Sequence, residues 1–213
     1  MITKNFHKYE PAEERLNVLT HGLGLLLSII GFVLLVIKGW GENHRIFISF
    51  LVFGSSMVIL YAASTLYHSA KSEVLRNRLN IFDHAAIYVL IAGTYTPFAL
   101  ITLYGRTGWI IFASVWIMAL AGIILKFFYT GKYEYLSTIM YVVMGWLMVV
   151  AIKPLIENFS TAGLWWLFLG GISYTIGALL FSLSRIKFNH AIFHIFVLLG
   201  TFCHFFAIYF YVI

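Results

Sequence analysis

The chain has 213 residues, of which 62% are hydrophobic, 18% aromatic and only 10% charged, against about 25% charged in ordinary soluble domains. With a mean hydropathy of +0.92, it has too few charges to cover a water-facing surface. It is also too rich in aromatic and aliphatic residues to be disordered. A net charge of +6 would suggest nucleic acid in a soluble protein, but here the cations sit mostly in short gaps between apolar runs, as membrane orientation requires. The chain reads as an integral membrane protein with no nucleic-acid partner. Its one cysteine, Cys203, lies inside an apolar run as a packing residue and excludes an intrachain disulfide.

About 20 apolar residues are needed to cross the hydrocarbon core. Seven runs meet that test, at 16–38, 46–69, 81–103, 108–129, 135–153, 162–183 and 190–212. No small-residue cleavage site follows the first run, so it is expected to be a retained helix rather than a signal peptide. The connections are short, among them Ser69 to Asn80, Thr130-Gly131-Lys132 and Pro154 to Thr161. Continuous runs rather than ten-residue alternation exclude a β-barrel. Backbone in lipid must satisfy its own hydrogen bonds, so the prediction is an all-α, seven-helix membrane bundle forming a single domain over 1–213, with 1–15 as a short N-terminal segment.

Orientation follows from the basic residues. Lys4, Lys8, Arg15, Lys71, Arg76, Arg78, Lys126, Lys132, Arg185 and Lys187 fall on the N-terminal side, against Lys38, Arg45, Arg106 and Lys153 on the other. This places the N-terminus in the cytoplasm and the C-terminus outside.

Ionisable residues inside spans are costly and usually face the bundle interior. Glu14, Asn17 and His21 open the first span. Ser64 and His68 lie near the end of the second, Asp83 and His84 at the start of the third, and His190 and His194 at the start of the seventh, with His204 deeper in that run. In the predicted topology, His68, Asp83, His190 and His194 come to one level near the inner leaflet. His190 and His194 are four residues apart and share a helix face, the spacing that lets two imidazoles grip one metal ion. Adding His68 gives three imidazoles, the set of a catalytic zinc with one position open; copper, iron or nickel also accept imidazole. Asp83 can then orient or deprotonate a water, and Ser64 can hydrogen-bond a carboxylate or developing oxyanion. His204, about 15 Å further along the helix, is too distant to share the ion.

Other readings of the same residues stand beside this one. The histidines can be interfacial groups at headgroup level, and Asp83 can be an N-cap of the third helix. His7, His44 and His84 read as solvated or interfacial. Trp40, Trp109, Trp165 and Trp166 read as interface belts and packing, and Gly22, Gly24, Gly93, Gly170, Gly171 and Gly177 as close-packing positions. Pro97 is expected to kink or end the third helix.

Four motifs in order carry a resemblance. They are Glu14-x-x-Asn17-x-x-Thr20-His21-Gly22; Ser64-Thr65-Leu66-Tyr67-His68; Asp83-His84 continuing to Ala92-Gly93-Thr94-Tyr95-Thr96-Pro97; and His190-Ala191-Ile192-Phe193-His194 with Gly200 and His204. On these the chain resembles the hemolysin III family, the bacterial branch of the progestin and adipoQ receptor group. The resemblance implies a multi-pass protein of the bacterial inner membrane, with a zinc centre like that of the adiponectin receptors. Those receptors fall in a wider superfamily of membrane hydrolases that includes the alkaline ceramidases. Carried over, the ligands are His68, His190 and His194, with Asp83 and Ser64 around the water. The family name reflects an association with cytolysis, and bacterial members are also linked to membrane lipid homeostasis.

The leading expectation is a zinc-dependent intramembrane hydrolase of lipid-like amides or esters, with membrane lipids as environment and substrate. The alternatives are a non-enzymatic receptor or sensor with a structural zinc, and a cytolytic pore. Seven obligate spans and the lack of an amphipathic pore-lining span count against the pore.

Overall fold

A computed structural model of the chain describes residues 9–130, 133–183 and 185–213. Lys4, His7, Lys8 and Lys132, read above from sequence, lie outside the described residues. The elements are α1 (Pro11–Gly39), α2 (His44–Ser69), α3 (Glu73–Pro97), a π turn (Phe98–Thr102), α4 (Arg106–Tyr129), α5 (Glu134–Gly145), a 3-10 turn (Leu147–Ala151), α6 (Ile152–Asn158), α7 (Thr161–Ser182) and α8 (Asn189–Tyr211). No strand occurs among the described residues. These elements make 7 helical spans long and apolar enough to cross a membrane, α3 with its π turn forming the third and α5 to α6 the fifth.

Local chemistry sets several of the ends. Pro11 opens α1, where its missing N–H costs nothing. The Asn43 side chain accepts the Ile46 N–H at 3.1 Å to start α2, and Ser160 Oγ accepts the Gly163 N–H at 3.1 Å to start α7. Pro97 has no N–H to return to the preceding turn, and α3 gives way there to the π turn, closed by the Leu103 N–H on the Phe98 carbonyl at 2.8 Å.

Three boundaries differ from the sequence reading by five residues or more, the first being that α1 starts at Pro11 rather than 16, inside the expected N-terminal segment. The third helix starts at Glu73 rather than 81, because hydropathy marks where lipid begins and not where the helix does. Asp83 is therefore well inside α3, and Ser72 takes the N-cap position proposed for it. The fifth span extends to Asn158 rather than 153, with Pro154 in the first turn of α6.

Neighbouring spans pack in order, α1 on α2, α2 on α3 and α3 on α4, with α7 on α8 and α1 closing against α8. The third span is the central one. Of its most apolar stretch 72% is buried, against 22% for the fifth and sixth spans. Tyr88 and Phe98 of this span join Phe50, Phe53 and Tyr61 of α2 in the fully buried core. In α1, the inward stripe is polar or small (Glu13, Asn17, His21, Gly24, Ser28, Gly31), while Leu19, Leu23, Leu26 and Ile30 face outward. That inversion is what a lipid solvent selects, since apolar surface gains nothing by leaving lipid. Gly24 and Gly93 are needed for close approach: an added Cβ would lie 2.4 Å from the Tyr61 ring and 2.3 Å from Ser56 Oγ, respectively. Gly22, expected to act likewise, has nothing within 4 Å. Trp40, Trp109 and Trp165 are exposed on the bundle surface, and Trp166 is half-buried.

The fifth span is broken between α5 and α6, and Tyr95 of α3 bridges the break. Its hydroxyl donates to the Gly145 carbonyl and accepts the Met148 N–H, both at 2.8 Å. Tyr95→Phe strands a buried donor and acceptor, which costs about 1–3 kcal/mol, a Tm loss of roughly 2–4 °C per kcal/mol. Thermal unfolding in detergent measures it, and an unchanged Tm would show that the break holds without this bridge.

Candidate metal centre

The second span ends, and the seventh begins, at the same end of the bundle as the start of α1. His68 lies in the last turn of α2, while His190 and His194 lie one turn apart at the start of α8. One nitrogen from each of these three buried histidines falls within 4.8 Å of the others. Their ring centroids are 5.0 Å (His68–His190), 5.1 Å (His68–His194) and 4.5 Å (His190–His194) apart. The predicted convergence of residues more than a hundred positions apart is what the fold produces.

The donor set fits a zinc ion. His68 Nε2 and His190 Nε2 are 3.2 Å apart. Two nitrogens bound at 2.0–2.1 Å to one tetrahedral ion lie about 3.3 Å from each other. The opposite ring nitrogens are already engaged. Nδ1 of His68 faces Glu14 Oε2 at 2.9 Å, Nδ1 of His190 faces Tyr9 Oη at 3.1 Å, and Nδ1 of His194 faces Thr20 Oγ1 at 3.3 Å. Buried polar atoms nearby also lack a hydrogen bond among the described residues: Ser64 Oγ, Asn17 Oδ1 and both ring nitrogens of His21. Such atoms are costly to leave bare, and an ion with its water is the kind of occupant that would use them.

Ser64 is fully buried one turn before His68, on the same face. Asp83 is buried and lines a cavity of about 140 Å³ together with His190, His194, His21 and His84. His204 lines the same cavity further along; its Nε2–H donates to the Leu167 carbonyl at 3.1 Å, and it takes no part in the three-histidine group. His84, read as solvated or interfacial, is half-buried on the cavity wall, with Nδ1 donating to the Asn80 carbonyl at 2.9 Å. His44 is exposed. A second cavity of about 430 Å³ shares Thr94, Tyr95, Gly145, Trp146, Gly171 and His204 with the first. Its other walls include Phe98, Leu155, Ile156, Leu164, Trp165 and Phe168. The two cavities adjoin, the first lined by His190 and His194 and the second by apolar residues that include the exposed Trp165, Ile156 and Phe168.

Sequence reasoning missed several residues here. Lys126, counted as a loop cation, is a helical residue of α4 buried at 2% exposure on the wall of the first cavity. Its position inside the 108–129 run was the available signal. Glu13 accepts the His190 backbone N–H at 3.2 Å. Arg76 pairs with Glu14, and its guanidinium lies 4.9 Å from the Tyr67 ring centroid. His21 stacks on His194 with centroids 3.4 Å apart.

Comparison with known proteins gives the family of the chain. The family model for haemolysin-III related proteins matches residues 9–205. Hemolysin-3 of Bacillus cereus is 46% identical over 203 residues, covering 94% of this chain and 92% of that protein. The hemolysin-3 homolog of Bacillus subtilis (strain 168) is 48% identical over 201 residues, covering 93% and 94%. The human monocyte to macrophage differentiation factor is 30% identical over 215 residues, covering 94% and 86%. With seven apolar spans, three converging histidines and a family match over nearly its whole length, this chain belongs to the haemolysin-III related family of multi-pass membrane proteins.

Proposed function

We propose that the chain is a zinc-dependent intramembrane hydrolase of lipid-like amides or esters, with a role in membrane lipid homeostasis. The observation that supports this reading is that three imidazoles converge and two of them, His190 and His194, line a mostly apolar cavity that a carboxylate, Asp83, also lines. A purely structural metal has no need of such a cavity. His68, His190 and His194 would hold the ion, which when bound supplies Lewis-acid polarisation and a water acidic enough to be deprotonated near neutral pH. Asp83 accepts the water's proton on its carboxylate and passes it to the leaving amine or alcohol. Ser64 Oγ–H donates to the oxygen that develops negative charge. The adjoining cavity walled by Phe98, Leu164 and Phe168 takes the acyl chain, fixing the scissile carbonyl near the histidines and excluding bulk water. With the N-terminus cytoplasmic, the substrate enters from the inner leaflet of the cell membrane.

The test is release of fatty acid from N-acyl amides and acyl esters by purified protein in detergent or vesicles. Release abolished by chelator and restored by zinc supports the proposal. If no acyl amide or ester turns over in zinc-loaded protein, the hydrolase reading falls and a zinc-stapled sensor takes its place.

A further inference from the structure

Each metal-site histidine uses its Nδ1 on α1 or on Tyr9 just before it, and that segment gives no ligand. Glu14 Oε2 faces Nδ1 of His68 at 2.9 Å, with the Asn17 amide nitrogen 3.2 Å from the same oxygen and Arg76 paired with the carboxylate from the opposite side. Thr20 Oγ1 faces Nδ1 of His194 at 3.3 Å, and Tyr9 Oη, just before the helix, faces Nδ1 of His190 at 3.1 Å. Glu13 meanwhile accepts the His190 backbone N–H at 3.2 Å, in the first turn of α8.

Hydrogen-bond chemistry makes this set directional. An ionised carboxylate only accepts, so His68 must donate Nδ1–H to Glu14 and carry its lone pair on Nε2. The Thr20 hydroxyl donates back to the Leu16 carbonyl at 2.8 Å, leaving a lone pair to accept Nδ1–H from His194. Tyr9 Oη can accept Nδ1–H from His190 in the same sense. His68 is thereby held in the tautomer whose Nε2 is free, its Nε2 facing that of His190 at 3.2 Å, and the contacts of His190 and His194 accommodate the same form. An acceptor behind a ligating imidazole also raises its basicity. Glu13 adds a negative charge at the N-terminus of α8, where unpaired N–H groups and the helix dipole favour it.

We infer that the first span is the positioning element of the metal centre: Tyr9, Glu14 and Thr20 orient the three ligands, and Glu13 caps the helix that carries two of them. The inference rests on the metal reading above. It explains why α1 buries Glu13 and Asn17 inside a membrane bundle, where polar residues are otherwise costly.

The test is the affinity of detergent-purified full-length protein for zinc, by competition with a chromogenic chelator, and the visible spectrum of the cobalt-loaded protein. Wild type, Glu14→Ala, Glu14→Gln, Tyr9→Phe, Thr20→Val and His194→Ala are compared. Loss of an outer partner is expected to weaken zinc binding by about 10–100-fold and to shift the cobalt ligand-field bands. Glu14→Gln, which still accepts Nδ1–H but lacks the charge, should recover part of both. A helix that merely packs would lower Tm in chelator without moving affinity or spectrum. The inference is overturned if Glu14→Ala and Thr20→Val bind zinc as tightly as wild type with unchanged cobalt bands, while His194→Ala has lost the ion. Wild type that takes up neither zinc nor cobalt would remove the metal reading itself, and this inference with it.

Discussion

His194→Ala is expected to abolish stoichiometric zinc binding and to remove the metal's share of stability. Losing an outer hydrogen-bond partner already costs up to about 100-fold in affinity, and loss of one ligand of three is the larger change. His194 is 1% exposed, sits against Thr20 and stacks on His21, whose imidazole lies outside the three-histidine group. Zinc at about 1,000 times its Kd stabilises the folded state by roughly 4 kcal/mol, or roughly 2–4 °C of Tm per kcal/mol. Thermal unfolding with zinc and with chelator separates the two effects. Wild type should lose stability on chelation, while His194→Ala should start lower and show no response. A variant that still holds one zinc and still responds to chelator would exclude His194 as a ligand.

The second large effect is expected at Asp83. Asp83→Asn keeps the shape of the side chain but cannot accept a proton from water at neutral pH. Removal of a general base typically costs 10²–10⁴-fold, and that loss in kcat is the expected result on any acyl amide or ester that wild type cleaves. Zinc content should stay at the wild-type level, since Asp83 lines the cavity without belonging to the three-histidine group. The pairing of full metal with lost turnover distinguishes a catalytic zinc from a structural one. Full turnover by Asp83→Asn would sink the role assigned to it.

Local sequence information reaches the spans and falls short at their ends and rotations. The seven spans were legible because each is long and continuous, and His190 and His194 were legible as a pair because four residues on a helix define one face. Helix ends were less so. The Glu73–Asn80 turns belong to α3 although they are polar, and Asp83 changed from a capping candidate to a residue on a cavity wall. Lys126 was misplaced for a related reason. A single cation near the end of an apolar run reads as interfacial unless the rotation of its helix is known, and α4 turns it inward.

By itself, the sequence determined the solvent, the number of crossings and the end of the bundle at which His68 meets His190 and His194. Those are properties of windows of about 20 residues and of the parity of the crossings, and both can be summed along the chain without knowing any contact. Tertiary structure alone decided which face of each helix points inward. It set the polar stripe of α1 behind the histidines, broke the fifth span against Tyr95, and opened the cavity that His190 and His194 line. Helix rotation is fixed by packing between residues far apart in sequence, such as Glu14 with His68 and Thr20 with His194. In a lipid solvent, hydrophobicity gives no preference for which apolar face turns inward, so only those contacts settle it.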